Sequence, residues 1–311
     1  MTLPLVSIVT PSFNQAAYLE ETMRSVLEQD YPQVEYWVMD GGSTDGSREI
    51  IERYAPRLAG WVSEKDRGQA DAINKGLGQA TGEFVGWLNS DDLYRPGAIR
   101  RAVEMLQADP TLAFVFADVQ SIDSSGRVFN VMRYGDWNLA DLMAFNIIGQ
   151  PGVFMRRSAL LQAGFLELGY HFLLDHQLWL RLAQQGSIRH IPQVLAAARF
   201  HSGAKNVAQA ARFGQEAYAI VDWMQTQPGL AELFQRNQRR IRAGAHRINA
   251  RYLLDGGQPG PAFKAYWHSL VSHPPTALKE GHRMVYALLS LVGLGRLKDY
   301  YYRLKRGKVD L

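Results

Sequence analysis

Two carboxylates in succession, Asp91-Asp92, follow the apolar run Glu83-Phe-Val-Gly-Trp-Leu88. Paired carboxylates are hard oxygen ligands, suited to Mg2+ or Mn2+ with coordination positions left open for phosphate oxygens. Neighbouring side chains on an extended segment point in opposite directions, so one acid is expected to hold a cation while the other accepts hydrogen bonds. The competing reading is a capping pair that leads into the helical pattern after Pro96. Further acids follow other apolar runs: Asp40 and Asp45 in Asp40-Gly-Gly-Ser-Thr-Asp45, and Glu64 and Asp66 in Glu64-Lys-Asp-Arg-Gly68. Asp45 alone reads as a turn former or helix cap. Acids after three consecutive strands instead imply one shared cleft.

The elements that would position these acids are legible as alternating patterns. Strands are expected at Leu5–Thr10, Glu35–Asp40, around Trp61-Val62, at Glu83–Leu88 and at Leu112–Ala117, from their β-branched and apolar content. Helices are expected at Tyr18–Gln29, where Leu19, Met23, Val26 and Leu27 share a face, and at Ser47–Tyr54, Gln69–Leu77 and Gly97–Gln107. Such alternation predicts an α/β fold with a mainly parallel sheet flanked by helices. Ligands of such sheets bind beyond the carboxyl ends of the strands, where all these acids fall. The stretch 119–203 is less regular, with a hairpin around Ser124-Ser-Gly126 and helices at Ser158–Ala163 and Asp175–Gln184. From 207 onward the pattern is helical, broken at Gly256-Gly257, Pro259–Pro261 and Pro274-Pro275.

Composition narrows the chemistry. The 311 residues are 47% hydrophobic and 21% charged, enough for a sizeable core and incompatible with a mostly disordered chain. With no cysteine, disulfides, thiol nucleophiles and cysteine-held metals are excluded. Gly41-Gly-Ser-Thr-Asp-Gly46 lacks both the P-loop lysine and the G-x-G-x-x-G spacing, and neither G-x-S-x-G nor H-E-x-x-H occurs. A nucleotide diphosphate would therefore be held by acid and metal rather than by a glycine cradle.

Five segments in this order resemble family 2 glycosyltransferases, inverting enzymes of the GT-A nucleotide-diphospho-sugar transferase fold. They are Val6-Ser-Ile-Val-Thr-Pro-Ser-Phe-Asn14, Asp40–Gly46, Ser63–Gly76, Leu88-Asn-Ser-Asp-Asp92 and Leu174-Asp-His-Gln-Leu-Trp-Leu-Arg181. The resemblance implies a catalytic domain over 1–206 and a basic helical C-terminal extension over 207–311. It implies that Asp40 meets the nucleobase in a pocket lined by Thr10, Pro11, Ser12 and Asn14, and that Asp66 and Arg67 lie near base and ribose. Asp91 would face the ribose, and Asp92 would hold Mn2+ or Mg2+ against the diphosphate. Asp175 would be the catalytic base, and His201 would stand near the diphosphate and metal. Many relatives carry Glu-Asp where this chain has Leu174-Asp175, a departure bearing on acceptor binding. The competing reading makes Asp175 a helix cap. For Trp61, Trp87 and Trp179 a core role is expected over sugar stacking, and His171 and His176 read as surface or core histidines rather than ligands.

The implied partners are a nucleotide-diphosphate sugar (UDP- or dTDP-linked) and a glycan or lipid-linked acceptor, with one sugar added per encounter because no Q-x-x-R-W motif is present. A sugar-phosphate nucleotidyltransferase would need a basic glycine-rich loop, and Thr10–Asn14 contains no Gly, Lys or Arg. Charge is unevenly spread: residues 1–230 hold 19 Lys/Arg against 25 Asp/Glu, whereas residues 231–311 hold 15 against 5. The basic tail raises the alternative of a nucleic-acid-binding protein; the acidic remainder argues against it, and no nucleic-acid partner is expected. Residues 284–308 combine an apolar run with Tyr300–Tyr302 and flanking Lys/Arg, the mixture of a helix on an anionic membrane surface; the alternative is a packed helix. No apolar run reaches the roughly 18 residues a bilayer span requires, and the N-terminus does not read as a signal peptide. The expected location is cytoplasmic, with peripheral contact at the cytoplasmic membrane face.

Overall fold

A computed structural model describes residues 3–201, 203, 209 and 212–294 and divides the chain into two units. The first comprises residues up to 139 together with 148–199; the second comprises 140–147 and the chain from 200. The sheet-bearing unit thus ends at Arg199, ahead of the boundary expected at 206.

The first unit opens with β1 (Val6–Ser12), α1 (Ala16–Leu27), β2 (Val34–Asp40), α2 (Ser47–Tyr54), β3 (Gly60–Ser63), α3 (Gln69–Gln79) and β4 (Phe84–Trp87). Strands β3, β2, β1 and β4 lie side by side and parallel, as the alternation predicts. β1 is buried along its whole length, as expected of a strand covered on both faces. α1 covers it with Leu19, Met23 and Val26, one turn apart on one face. α3 can approach β1 because residue 76 is glycine: a Cβ there would lie 2.4 Å from Val9 Cγ1.

Beyond β4 the order is less regular. β5 (Leu93–Tyr94), α4 (Ala98–Ala108), β6 (Leu112–Ile122), β7 (Val128–Met132), α5 (Leu139–Met143), β8 (Val153–Arg156), α6 (Arg157–Ala163), α7 (Leu174–Leu182) and β9 (Ser187–Arg199) complete the nine-stranded sheet, with path β3-β2-β1-β4-β8-β6-β9-β5 and β7 on β6. Short β8 enters antiparallel between β4 and β6, and β9 runs parallel to β6 over its length. The hairpin around Ser124–Gly126 forms as expected, with Asp123 Oδ1 accepting the Ser125 and Arg127 amides. β8 and β9 have no counterpart in the sequence reading. β8 is four residues long, and β9 is interrupted by Arg189, His190 and Pro192, which hide its period.

The second unit contains α8 (Phe213–Thr226), α9 (Ala231–Asp255), α10 (Pro259–Ser272), α11 (Pro274–Leu278) and α12 (Gly281–Leu291). The breaks fall at the glycines and prolines that the sequence marks, with Gly257 left-handed at φ 74°. Segment 140–147 lies against α9: a Cβ on Gly244 would come within 2.2 Å of Ala144 O, and Arg247 donates to Phe145 O at 2.7 Å. Glu280, at the start of α12, is buried and accepts from Arg247 at 2.6 Å, from Arg251, and from the Tyr266 hydroxyl at 3.0 Å. Burial works to raise the Glu280 pKa, but the charges of Arg251 and Arg247 outweigh it and bring it down to about 2.

A folded-state pKa below the unfolded one means that Glu280 stabilises the fold above the ordinary glutamate range, and that this contribution drains away as pH falls toward about 2. Glu280→Gln leaves the buried Arg247 guanidinium and half-buried Arg251 without their counter-charge, and is expected to cost about 3–5 kcal/mol. Hydrogen exchange should locate the loss in amides of α9 and α10, with β1–β4 protected as before.

Candidate active site at the carboxyl edge of the sheet

The loop after β1 is stitched to the loop after β2. Asn14, left-handed at φ 52°, accepts from the Thr44 amide at 2.9 Å and donates its own amide to Ser43 Oγ at 2.7 Å. Asp45 caps locally, accepting from Ser47 and from the Ala16 amide that opens α1. Asp40, expected to read a base, is buried with its oxygens occupied. It accepts from the Gly42 and Ser43 amides at 3.1 and 2.9 Å, from Ser63 Oγ at 2.7 Å and from Ser43 Oγ. Thr10 is likewise engaged, its hydroxyl 2.8 Å from that of buried Tyr36. Pro11 and Ser12 continue β1 beside Met39 and Asp40, and Ser12 Oγ is buried with no hydrogen-bond partner.

Asp66 stands across from this loop. Its Oδ1 accepts the Gly68 amide at 2.8 Å, while a Cβ on Gly41 would lie 2.5 Å from its Oδ2 and 3.3 Å from the ring of Phe13. Glycine at 41 therefore lets the Asp66 carboxylate and the Phe13 ring close over the Asp40 loop. Phe13 is exposed beside a shallow recess lined by Met39, Asp40, Val62, Glu64, Asp66 and Lys75. Arg67 turns away from the recess to Asp71, at 2.7 Å, which Lys75 also approaches at 3.5 Å while bonding Glu64 at 2.8 Å.

The Asp91–Asp92 pair is held by Arg199, the last residue of β9. The Arg199 amide donates to Asp92 Oδ1 at 2.9 Å, and its Nε donates to Asp91 O at 3.0 Å. Nη1 reaches the carbonyls of Asp123 and Ser124, both at 3.2 Å; Nη2 bonds Glu21 Oε2 at 2.6 Å; and the guanidinium lies over the Tyr18 ring. Asp92 Oδ2 accepts from Asn89 Nδ2 at 3.2 Å, and Asn89 in turn accepts from Gln69 at the start of α3, at 2.8 Å. Thr22 of α1 donates to Asp92 O at 2.8 Å. Burial, aided by the charge of Asp91, pushes the Asp92 carboxyl well above the usual carboxylate range against the pull of Arg199 and Asn89. A buried acid beside a second acid, with one donor on each oxygen and lone pairs to spare, fits a divalent cation. Among the described residues no group of three or more His, Asp or Glu side chains forms a cage, so such an ion would draw its remaining ligands from substrate and solvent.

Asp175 lies in the first turn of α7, half-buried, with Oδ1 accepting the His176 amide at 2.7 Å. α7 is docked by Trp179, one turn further on, stacked on Trp87 of β4 with centroids 5.1 Å apart and tilted against Phe114. Trp87 is two residues before Asn89, so α7 is seated on the strand that leads into the acidic loop. Trp87 and Trp179 are core residues, Trp61 packs half-buried on the edge of the core, His176 is buried and His171 exposed. His201 belongs to the second unit and is half-buried; residues 202 and 204–208 of its loop lie outside the described residues, as do the basic residues from 295 onward. The sequence reading missed Arg199, Gln69, Asn89 and Phe13. Arg199 had left a signal, as a lone charge closing the apolar run Val194–Ala198.

The sequence profile of Glycosyl transferase family 2 matches residues 7–160, the span from β1 to α6. TuaG of Bacillus subtilis (strain 168), a glycosyltransferase assigned to teichuronic acid biosynthesis, is 31% identical over 189 residues, covering 59% of this chain and 73% of TuaG. Chondroitin synthase of Escherichia coli is 30% identical over 196 residues, 62% of this chain but 28% of that protein. The fold is shared with S. aureus TarS 1–349 in complex with UDP-GlcNAc, at TM-score 0.61 and 18% identity, covering 98% of this chain and 94% of that one. It is shared also with the Pyrobaculum calidifontis mannosyltransferase PcManGT in complex with GDP-Man and Mn2+, at TM-score 0.63 and 21% identity, covering 95% and 85%. The chain belongs to glycosyltransferase family 2. It is a glycosyltransferase with a GT-A sheet and a helical C-terminal region.

Arg199→Ala leaves three carbonyls and Glu21 without their donor, and is expected to cost about 1–3 kcal/mol for each carbonyl kept from water. Arg199→Lys keeps the charge but loses the planar fork, and should recover only part of it. Urea unfolding of the three proteins measures both.

Proposed function

We propose that this chain moves one sugar per encounter from a nucleotide-diphosphate sugar to an acceptor hydroxyl, with inversion at the anomeric carbon. The observation that carries the reading is the anchored Asp91–Asp92 pair at the carboxyl edge of the sheet; Asp175, on the helix seated by the Trp87–Trp179 stack, is assigned as the base. The base is read as lying against the exposed ring of Phe13, between the Asp40 loop and Asp66, since an aromatic face suits stacking. Because Asp40 and Asn14 spend their side chains on the loops and Thr10 on Tyr36, they shape this pocket, while Asp66 Oδ2 offers a polar atom to a ligand. Asp91 is assigned to the ribose, and Asp92 to a divalent cation, either Mn2+ or Mg2+.

In the proposed step Asp175 takes the proton of the acceptor hydroxyl while that oxygen attacks the anomeric carbon. The carbon–phosphate-oxygen bond breaks, its electron pair leaves with the nucleoside diphosphate, and attack from the opposite face inverts the centre. The positive end of α7 supports a negative charge at Asp175. A bound divalent cation would supply Lewis-acid stabilisation of the charge growing on the leaving group. The likeness to TuaG and chondroitin synthase supports a glycan or lipid-linked acceptor in surface-polysaccharide assembly, and the UDP-GlcNAc and GDP-Man held by fold neighbours support a nucleotide-sugar donor.

Calorimetric titration of UDP, dTDP and GDP, each with Mn2+ and with EDTA, tests the donor site. Binding of one nucleotide that requires metal and disappears in Asp92→Ala is expected; no binding of any nucleotide under any condition would sink the proposal. Asp175→Asn should leave that binding intact and lower turnover by about 10²–10⁴-fold. Gly41→Ala, which pushes Asp66 and Phe13 apart from the loop, should weaken nucleotide binding by about tenfold, the loss of one modest polar contact.

A further inference from the structure

Between residues 236 and 251, α9 carries six arginines and no acid. Four of the six already have a carboxylate. Arg236 bonds Glu232, Arg240 bonds Asp141, and Arg247 and Arg251 share buried Glu280. The other two, Arg239 and Arg242, are exposed, and among the described residues neither side chain forms an ion pair or a hydrogen bond. Spaced as i, i+3 and i+7, Arg239, Arg242 and His246 lie on one face of the helix.

That face continues onto α10. The rings of His246 and His268 lie 5.4 Å apart and tilted by 32°. His246 is oriented from the other side by the Tyr218 hydroxyl of α8, 2.7 Å from its Nδ1, and that hydroxyl accepts from Asn249 at 3.2 Å. On α10, Lys264, Trp267 and His268 are spaced as i, i+3 and i+4 and are all exposed, Trp267 at 52%. Lys264 has no ion-pair partner among the described residues either. The neighbouring acids are engaged elsewhere: Asp255 bonds Arg283, Asp222 of α8 accepts from Gln225 at 3.3 Å, and Glu280 is buried. The exposed aliphatics of α12, Val285, Leu288, Leu289 and Val292, lie on a helix with no charge after Arg283 and are no part of this surface. What α9 and α10 offer is two guanidinium forks, an ammonium group and an open indole, none of them satisfied within the unit.

A guanidinium fork matches carboxylate and phosphate groups, and an indole face packs on the apolar face of a sugar ring. We propose that Arg239 and Arg242 of α9, with Lys264, Trp267 and His268 of α10, bind an acidic polysaccharide, one bearing carboxylate or phosphate groups along its chain. This deepens the proposed function by naming the acceptor class, and rests on that reading for the polymer being a glycan. The test is affinity electrophoresis of the full chain through gels containing polygalacturonate or neutral dextran. Retardation by polygalacturonate alone, relieved by salt, is expected. Arg239→Gln with Arg242→Gln should weaken it about tenfold at an unchanged unfolding midpoint. Trp267→Ala, which keeps every charge, should weaken it severalfold. Arg24→Gln with Arg48→Gln, exposed arginines of the other unit, should leave it unchanged. No retardation, equal retardation by dextran, equal weakening by the Arg24 and Arg48 pair, or indifference to Trp267→Ala overturns the proposal. So does tighter binding to duplex DNA or to phosphatidylglycerol vesicles that Arg239→Gln with Arg242→Gln abolishes, because the surface would then belong to another partner. Nucleotide titration of the same variants reads the donor site separately: Arg239→Gln with Arg242→Gln should leave it intact.

Discussion

The guanidinium of Arg199 is the constraint on which the acid-bearing edge depends. A buried cation is tolerable only where its donors are met, and four of the five N–H groups of Arg199 are met by acceptors from three separate parts of the chain. Those acceptors are the Asp91 carbonyl, the turn of the β6–β7 hairpin and Glu21 of α1. Its amide then takes Asp92 Oδ1. One residue at the end of β9 thus fixes the acidic loop, the hairpin and the first helix together. It also pulls down the Asp92 carboxyl, which burial and the neighbouring charge of Asp91 push well above the usual carboxylate range. The same arrangement explains why Asp91 and Asp92 are not interchangeable: one offers its carbonyl to the guanidinium, the other its carboxylate to the amide.

Around this anchor the other loops are tied mostly by their own polar side chains. Asp40, Asn14, Asp45 and Ser43 satisfy backbone amides that would otherwise be orphaned where strands end. Their types look catalytic, but their first use is to hold a recess open at fixed shape. That leaves Asp66, Glu64 and Lys75 among the charged side chains that line it. The acid on α7 is positioned differently, by dispersion and stacking: the Trp87–Trp179 pair and Phe114 make a rigid apolar seat for the helix.

The helical unit has an economy of its own. Glu280 gathers two arginines and a tyrosine inside α9–α12, neutralising charge where water is excluded. This removes the one carboxylate between Pro259 and Leu294 from the surface, so α10–α12 present no acid outward.

Much of this was legible in the sequence, where the signal is local. Hydrophobic period located β1–β4 and α1–α4 to within a few residues, and Gly256-Gly257, Pro259 and Pro274 marked the helix breaks, because period and backbone preference are properties of neighbouring residues. Acids at the ends of parallel strands had to share an edge, since the topology allows no other place. The identity of each acid's partners was not local. Arg199 meets Asp91 across 108 residues of sequence and Glu21 across 178, and no spacing rule connects them. The same holds for Trp87 under Trp179, for the saturation of Asp40, and for which face of α12 stays in water. The sequence determined which residues carry charge and where strands and helices run. Only the tertiary structure decided which charges are spent on holding the fold and which face a ligand, because burial and pairing are set by what packs opposite, and that is a property of the whole chain.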